Sequence, residues 1–594
     1  MGTGGTGPVA GVIAVCPDGV APYGTIASAI AAAAAGSTIE VCPGTYAERL
    51  LVLDKPLQIV GTGGAAVTIL DAGSGGTALV VQNTGGSGLA IRGFTIRNGR
   101  ADGTGGGIRC SSSTLTLADD VLTANESDGG GGLAATACAV NVSATTFDSN
   151  KGGSRGGGAL LVGCSGTVGG SIFARNDAVR GGGLTIEEGS VVVQNNEFRS
   201  NVALLAGGGL YHESDALIEA NIIADNTSWW TGGGVYLGVH KQIFRGNTVS
   251  GNTSTNDGGG IYVHMSETTI VDNRFQNNYS GDDGGGIRIF ESNCRIEDNL
   301  VEQNTANDTG GGIRISHLPC QVINNIVRNN TATYTGGGMD LDNDSSVVRG
   351  GEITGNKASK GGGIFMWLAP WDGASIEGVL IANNSAWRGG GIHLDDNFQP
   401  VALNRLTVID NTAAEGGGMF LRATTFSLNH SVFERNKSLD RGGALYIGAN
   451  GNWNQVCPCP PTDPIGRISF IVAHANQAPD GAGLWTSYAN LVVANSILFN
   501  NVGGSSVTAG GAPATPSVVV LPQYNYNSTE PATFSGMASP IETNGNIAQD
   551  PLFVNVASGD FHLNNTSACV NAGDPAITDA DGSRADMGLF GGRQ

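Results

Sequence analysis

The sequence predicts an all-β chain, a single right-handed parallel β-helix (solenoid) of 25- to 26-residue coils with a short N-terminal capping helix. Three regularities predict it. A Gly-Gly-Gly run returns at a nearly fixed interval, an asparagine column precedes the runs, and six of the ten cysteines fall in pairs 26 residues apart.

The last glycine of each run falls at Gly107, Gly132, Gly158 and onward to Gly418, at intervals of 25 or 26 up to Gly363 and then 28 and 27. Weaker copies follow at Gly443 and Gly483. Each run opens an alternating segment such as GGGIYV or GGGIHL, in which one residue points inward and the next outward, the period of a strand. Units this short cannot bury a face alone, so stacking must supply the core. Tight corners between stacked strands need positive φ or close backbone approach, and glycine provides both.

The asparagine column runs from Asn125, Asn150 and Asn176 to Asn436 and usually ends an apolar-x-x-Asn pattern; a second column spans Asn196 to Asn325. Asparagine tolerates left-handed turns, and its amide can bond to the same amide one coil away. Such ladders satisfy buried polar groups along a solenoid. The cysteine spacing places Cys16–Cys42, Cys138–Cys164 and Cys294–Cys320 at equivalent positions one coil apart, where strands lie ~4.8 Å from each other. That separation suits a disulfide, and disulfides imply an oxidising compartment. The alternative is a stack of buried thiols. Cys457 and Cys459 resemble half a metal site with no second half, so a local bridge or pairing with Cys569 or Cys110 is expected.

Composition narrows the function classes. Glycine supplies 96 of 594 residues, yet aliphatic residues are plentiful, which excludes a disordered linker. The glycines do not recur at every third position, which excludes collagen. A net charge of −21 repels phosphate backbones, so no nucleic-acid partner is expected. No stretch reaches ~18 apolar residues, so no transmembrane segment is expected. The expected organisation is a flexible tether over 1–10, an N-terminal cap and first coils over 11–82, and regular repeats over 83–505 with a loop insertion near 449–466. Irregular C-terminal coils and a cap follow over 506–594. The start is neither a charged nor an apolar leader, so the export signal is expected to lie outside this sequence.

Residues 24–60 place Thr25 as the cap of a short helix closing at Gly36, followed by strands near Ile39–Cys42 and Leu50–Val52. That helix would cover the open strand edges of the first coil. Thr25-Ile26, Ala29-Ile30, Pro43-Gly44, Tyr46 and Glu48 resemble the opening of pectin methylesterase-like and pectate lyase-like β-helix proteins, in which the segment is architectural. The Gly-Gly-Gly and Phe-x-x-Asn repeats resemble those of polymorphic outer-membrane proteins, which are adhesive passenger domains. The ending, Asp550-Pro-Leu-Phe with Gly559-Asp-Phe-His-Leu, is similar to that of exported bacterial β-helix proteins held at the cell surface. These resemblances imply fold more than chemistry.

Candidate sites lie on the row two residues after each glycine run, which includes Tyr211, Tyr236, Tyr262, Arg314, Asp340, Phe365, His393 and Phe420. Three successive tyrosines are expected to stack at coil spacing, either as an aromatic platform for sugar rings or a protein partner or as self-stacking strand residues. A second cluster combines Asp340 and Asp342 (with Asp344) with His393 and Asp395, beside Trp367 and Trp371 and flanked by Arg314 and Arg422. Carboxylates two coils apart would stand ~9–10 Å from each other, near the spacing of inverting glycoside hydrolysis; aligned carboxylates also suit calcium. Asp574, Asp579, Asp581 and Asp586 offer oxygen ligands without a complete calcium loop. No cofactor is required, and calcium is the ion these sets would take. The leading expectation is an exported, surface-held bacterial β-helix presenting a rigid face to an extracellular polysaccharide or surface protein for non-catalytic adhesion or glycan binding. The alternatives are a polysaccharide lyase or glycoside hydrolase acting through Asp340, Asp342, His393 and Asp395, and a structural spacer.

Overall fold

The computed structural model describes residues 10–17, 21–342, 345–367, 373–397, 399–448, 466–487, 491–510, 523–529 and 534–592. All but one residue each of the expected tether and loop insertion, together with Asp344, Trp371, Cys457 and Cys459, lies outside the described residues. The chain is an all-β parallel solenoid of about 18 turns. It divides into two compact units, Met1–Gly281 with Gly286–Arg288 and Asp282–Gly285 with Ile289–Gln594.

One coil of the first unit shows how the sequence period becomes structure. Strands Ile108–Ser111 and Thr114–Ala118 contribute to the first sheet, Val121–Thr123 to the second and Glu126–Gly129 to the third. Each corner turns on a left-handed residue: Ser112 (φ 47°), Asp119 (φ 56°), Ala124 (φ 52°) and Gly130 (φ 66°). The next coil repeats every strand in parallel register, with Ile108 opposite Leu133, Thr114 opposite Ala139, Val121 opposite Thr146 and Glu126 opposite Lys151.

The three glycines of a run answer three separate demands. Gly130 makes the left-handed corner; a Cβ on Gly131 would stand 2.5 Å from the Lys151 carbonyl oxygen, and one on Gly132 2.5 Å from that of Gly158. Alanine at the last two would push adjacent coils apart. Beside the run, Asn176 Nδ2 donates to Asn201 Oδ1 (2.9 Å) and to the Phe147 carbonyl (2.9 Å), and the Asn176 amide donates to the same Asn201 oxygen. The ladder runs unbroken from Asn125 to Asn278 in the first unit. In the second it runs from Asn304 through Asn384 to Asn501. The phenylalanines of the same pattern fill the interior, Phe147, Phe173 and Phe198 stacking at 4.6 and 4.8 Å.

The capping helix α1 spans Ile26–Ala32 and buries Ile26, Ala29 and Ile30. Glu48, the last residue of the opening motif, accepts from the Ile26 and Ala27 amides (2.9 Å each), placing a negative charge on the helix N-terminus. Lys55 Nζ donates to the Ile30 and Ala33 carbonyls at the other end. Thr25 caps the helix as expected, its side chain accepting the Ser28 amide, and the helix ends at Ala32, before the expected Gly36.

Two expected disulfides form, Cys16–Cys42 and Cys294–Cys320, with Cα separations of 5.0 and 4.6 Å. The Cys138–Cys164 pairing is corrected: Cys138 bonds to Cys110, 28 residues earlier, and Cys164 is a buried free thiol. Cys138 lies beside a corner, with Ser113 as its neighbour in the earlier coil. Cys110 faces the core three residues before Ser113 and reaches across the bend, while the Cys164 thiol donates to the Ala135 carbonyl (3.4 Å). Cys569 is likewise free and buried.

The C-terminal segment, within the second unit, folds back along the flank of the coils. Phe553–Asn555 pairs antiparallel with Asp560–Leu563, and Phe561, Cys569 and Met587 bury Val432, Val472 and Ile497 of three successive second-sheet strands. His430 Nε2 lies 3.2 Å from the Gly591 carbonyl while its ring stacks on Phe470. Among the described residues no helix is long and apolar enough to cross a membrane.

Candidate functional site: a creased outer row and an open aromatic patch

In each glycine-opened strand, alternate side chains leave the core. Leu210 and His212 face inward; Tyr211 and Glu213 face outward. The corner glycine then decides what becomes of the outward row. Gly207 (φ 65°) folds the third sheet back so closely that a Cβ there would stand 3.0 Å from Tyr211 Cα. The row therefore lies in a crease between the first and third sheets.

In the first unit the three tyrosines stack as expected, at 4.7 and 5.7 Å between ring centroids. The crease leaves Tyr211 and Tyr262 only 4% and 8% exposed. Tyr211 Oη donates to Glu213 Oε1 (2.6 Å), and the Arg180 guanidinium lies over its ring. Burial, reinforced by Glu213, raises the Tyr211 pKa, and the same causes push Tyr236 up to about 12. These phenols are neutral floor residues.

Open aromatic surface lies on the third-sheet side of the crease, in the second unit at Tyr334 and Trp387 and in the first at a pair of adjacent tryptophans. Trp229 and Trp230 are 61% and 58% exposed, with Leu204 and Leu205 exposed at the equivalent positions of the preceding coil. The tryptophan pair lies off the repeating columns of the sequence. Its signal is a Trp-Trp between Asn226 and Gly232, where the next coils carry Thr255-Asn256 and Gly281.

In the second unit the acidic and basic candidates neutralise one another. Arg314 is bonded to Asp340 and to Asp342 (2.6 Å), with Asp283 3.5 Å away, and Thr335 donates to the buried Asp340. Two coils on, Asp395 receives Arg422 Nε and Nη2 at 2.5 and 2.6 Å. Burial opposes ionisation of Asp395, but hydrogen bonds from His393 and Arg422 outweigh it and hold the carboxyl below its usual range. His393 Nε2 lies 3.5 Å from Asp395, and its fully buried ring sits between Phe365 and Phe420 at 5.2 and 4.6 Å. Burial lowers its pKa, so the imidazole is neutral near pH 7. Register places Asp340 two coils from His393 and Asp342 two coils from Asp395, with Trp367 between the latter pair. Arg314 is thus shared by Asp283, Asp340 and Asp342, while Arg422 pairs with Asp395.

Asp579, Asp581, Asp574 and Asp586 accept backbone amides of their own turns, among them Asp586, Ser583, Ala576 and Asn571. Among the described residues, the one group whose carboxylate oxygens lie within 4.8 Å of each other is Asp282, Asp283 and Asp308. Burial and the charges of Asp283 and Asp282 raise the Asp308 pKa. The Thr309 hydroxyl and Arg314 already engage Asp283.

A family model described as the right-handed beta helix region matches residues 157–346. No curated protein matches the chain. Among solved structures, the PL6 family alginate lyase AlyGC aligns at 12% identity over 90% of each chain, with a TM-score of 0.29. A point mutant of the same lyase aligns at 14% identity over 88% of this chain and 98% of that one, with a TM-score of 0.27. Likenesses of that size carry no argument about chemistry.

Proposed function

We propose that this protein is an extracellular β-helix that binds glycan on a rigid outer face and does not turn it over. The observation that carries this reading is a contrast. Asp340, Asp342, His393 and Asp395 are tied to Arg314, Arg422 and each other in the crease, whereas Trp229 and Trp230 face solvent. Exposed indole rings offer an apolar face and a polar edge, which suits sugar rings, and contiguous exposed apolar surface marks interaction sites. Three disulfides favour an oxidising setting.

A glycan-array screen of the whole chain, run beside assays for unsaturated products and new reducing ends, tests the proposal. Binding without product is expected. Product formation abolished by Asp395→Ala would replace the reading with a lyase or hydrolase, and silence in both assays would leave a spacer.

A further inference from the structure

The patch around Trp229 and Trp230 also specifies the class of glycan. Resting on the glycan-binding reading, we infer that it takes an uncharged, unbranched polysaccharide lying along the coil stack, roughly one sugar ring per coil.

Three observations converge on that ligand. The first is rigidity. The Trp229 amide donates to the Ala203 carbonyl (3.0 Å) and Thr231 to Leu205 (2.9 Å) in the coil before; in the coil after, Ser254 Oγ (2.7 Å) and the Asp257 amide (3.1 Å) donate to the Trp230 carbonyl. Both tryptophans are thus presented on a backbone pinned from two sides, which lowers the ordering cost of binding.

The second is charge. The third-sheet segments 202–206, 227–231 and 253–257 read VALLA, TSWWT and TSTND, with Asp257 as the single charged residue. Within these segments a polyanion meets an acid and no cation; Arg180, paired with Ala206 from the coil before, lies over the Tyr211 ring in the crease. A neutral chain meets no such penalty.

The third is size and direction. Aromatic side chains offer ~150–250 Å² each, so two tryptophans and two leucines at these exposures make a patch of a few hundred Å², the size of functional patches on monomers. That is below the ~800 Å² per partner of a stable protein interface. Equivalent positions repeat every ~4.8 Å along the stack, close to the length of one pyranose in an extended β-linked chain. Leu205, Trp230 and Asn256 then meet successive rings, apolar faces over the first two and hydroxyls at the last.

The experiment is calorimetric titration of the whole chain with cellohexaose, xylohexaose and mannohexaose against hexamers of galacturonate and mannuronate, followed by the matching di-, tri- and tetrasaccharides. We expect one or more neutral hexamers to bind with little salt dependence, an affinity that levels off near the trisaccharide, and a loss of about tenfold or more in W230A and in W229A, each with an unchanged melting temperature. Preference for an acidic hexamer, or neutral binding that survives both variants, would overturn this inference and leave the broader glycan reading standing. Failure of every sugar here and of every glycan on the array would remove both. A concentration-dependent dimer that W230A abolishes would assign the patch to a second copy instead.

Discussion

Asp120 occupies the position that later coils give to Ser171 and Asn196, where the side chain accepts backbone amides: here Phe94 (2.8 Å) and Ala118 (3.1 Å). Burial pushes its pKa up to about 7 against those two hydrogen bonds. A folded value above the unfolded one means that folding takes up a proton, so this contribution is full below 3.8 and is lost as pH rises through about 7. Asp120→Asn removes the charge and keeps an acceptor for the Phe94 amide, but gives up the second oxygen that accepts Ala118. Its melting temperature relative to the parent should therefore rise between pH 4 and pH 8, with a ceiling of a few kcal/mol at ~1.4 kcal/mol per pKa unit; a difference from the parent that is the same at both pH values would refute the charge argument. His212 runs in the opposite sense. It faces the core between Ile186 and Leu237, neither ring nitrogen has a hydrogen-bond partner, and burial drives its pKa down to about 3. The neutral imidazole is the folded form, so stability is full above ~6.5 and falls as pH drops toward 3. His212→Leu should flatten urea midpoints between pH 7 and 4.5, and a slope unchanged from the parent would exclude His212 as its source. At the cysteines, Cys138 neighbours Cys110 across a corner and Cys164 one coil on, so Cys110→Ser should yield a Cys138–Cys164 disulfide on peptide mapping; two free thiols there would show that the register cannot hold that bond.

At the scale of the repeating element, the ladder asparagines are costlier to lose than the corner asparagines. Asn226 Nδ2 donates to the Phe198 carbonyl (2.9 Å) and Asn252 Oδ1 (3.0 Å), and its Oδ1 accepts both donors of Asn201. Alanine there strands several buried groups, each at ~1–3 kcal/mol. Asn277, left-handed at an exposed corner (φ 54°), should cost only about 1 kcal/mol on the same change. Denaturant melts of Asn226→Ala and Asn277→Ala that coincide would contradict the ladder account. This asymmetry also explains what was legible in the sequence. Gly131, Gly132 and Asn150 repeat because every coil imposes the same backbone approach and the same buried donors, so spacing alone reveals strand, corner and ladder. What escaped is what spacing does not encode. Tyr211 sits in a sequence pattern that reads as outward, yet whether outward means exposed depends on the left-handed turn at Gly207, which folds the third sheet over it. Trp229 and Trp230 stand out by breaking a column rather than repeating one. Cys110 pairs off the period because its bond crosses a corner, and the charges of Asp340 and Asp395 were visible while their neutralisation by Arg314 and Arg422 required three-dimensional register.

A solenoid is stabilised mainly by contacts between neighbouring coils, so long-range packing within a unit stands apart energetically. The second unit has one such feature, the segment after Gln549 that returns along the flank. It spans strands far apart in sequence, bringing Phe561, Cys569 and Met587 onto Val432, Val472 and Ile497, with Asn495 Oδ1 accepting the Asp574 amide (2.7 Å). The three aliphatic residues point away from the coil interior, in a column where other second-sheet strands carry polar Thr146, Glu197 and Thr248 as well as the exposed Ile222 and Ile326. What sets these three apart is that they are covered. Deleting 550–594 should therefore leave the coils wound, with an unchanged far-ultraviolet β-sheet signature, while exposing an apolar strip that binds a hydrophobic dye and drives concentration-dependent association. Replacing Val432, Val472 and Ile497 by threonine in the shortened chain should suppress both effects, because threonine keeps the β-branched shape and restores a polar face. A shortened chain that stays monomeric and dye-silent would mean that the flank contacts are incidental. One that loses its β-sheet signature would mean that the segment is needed for the coils to wind at all.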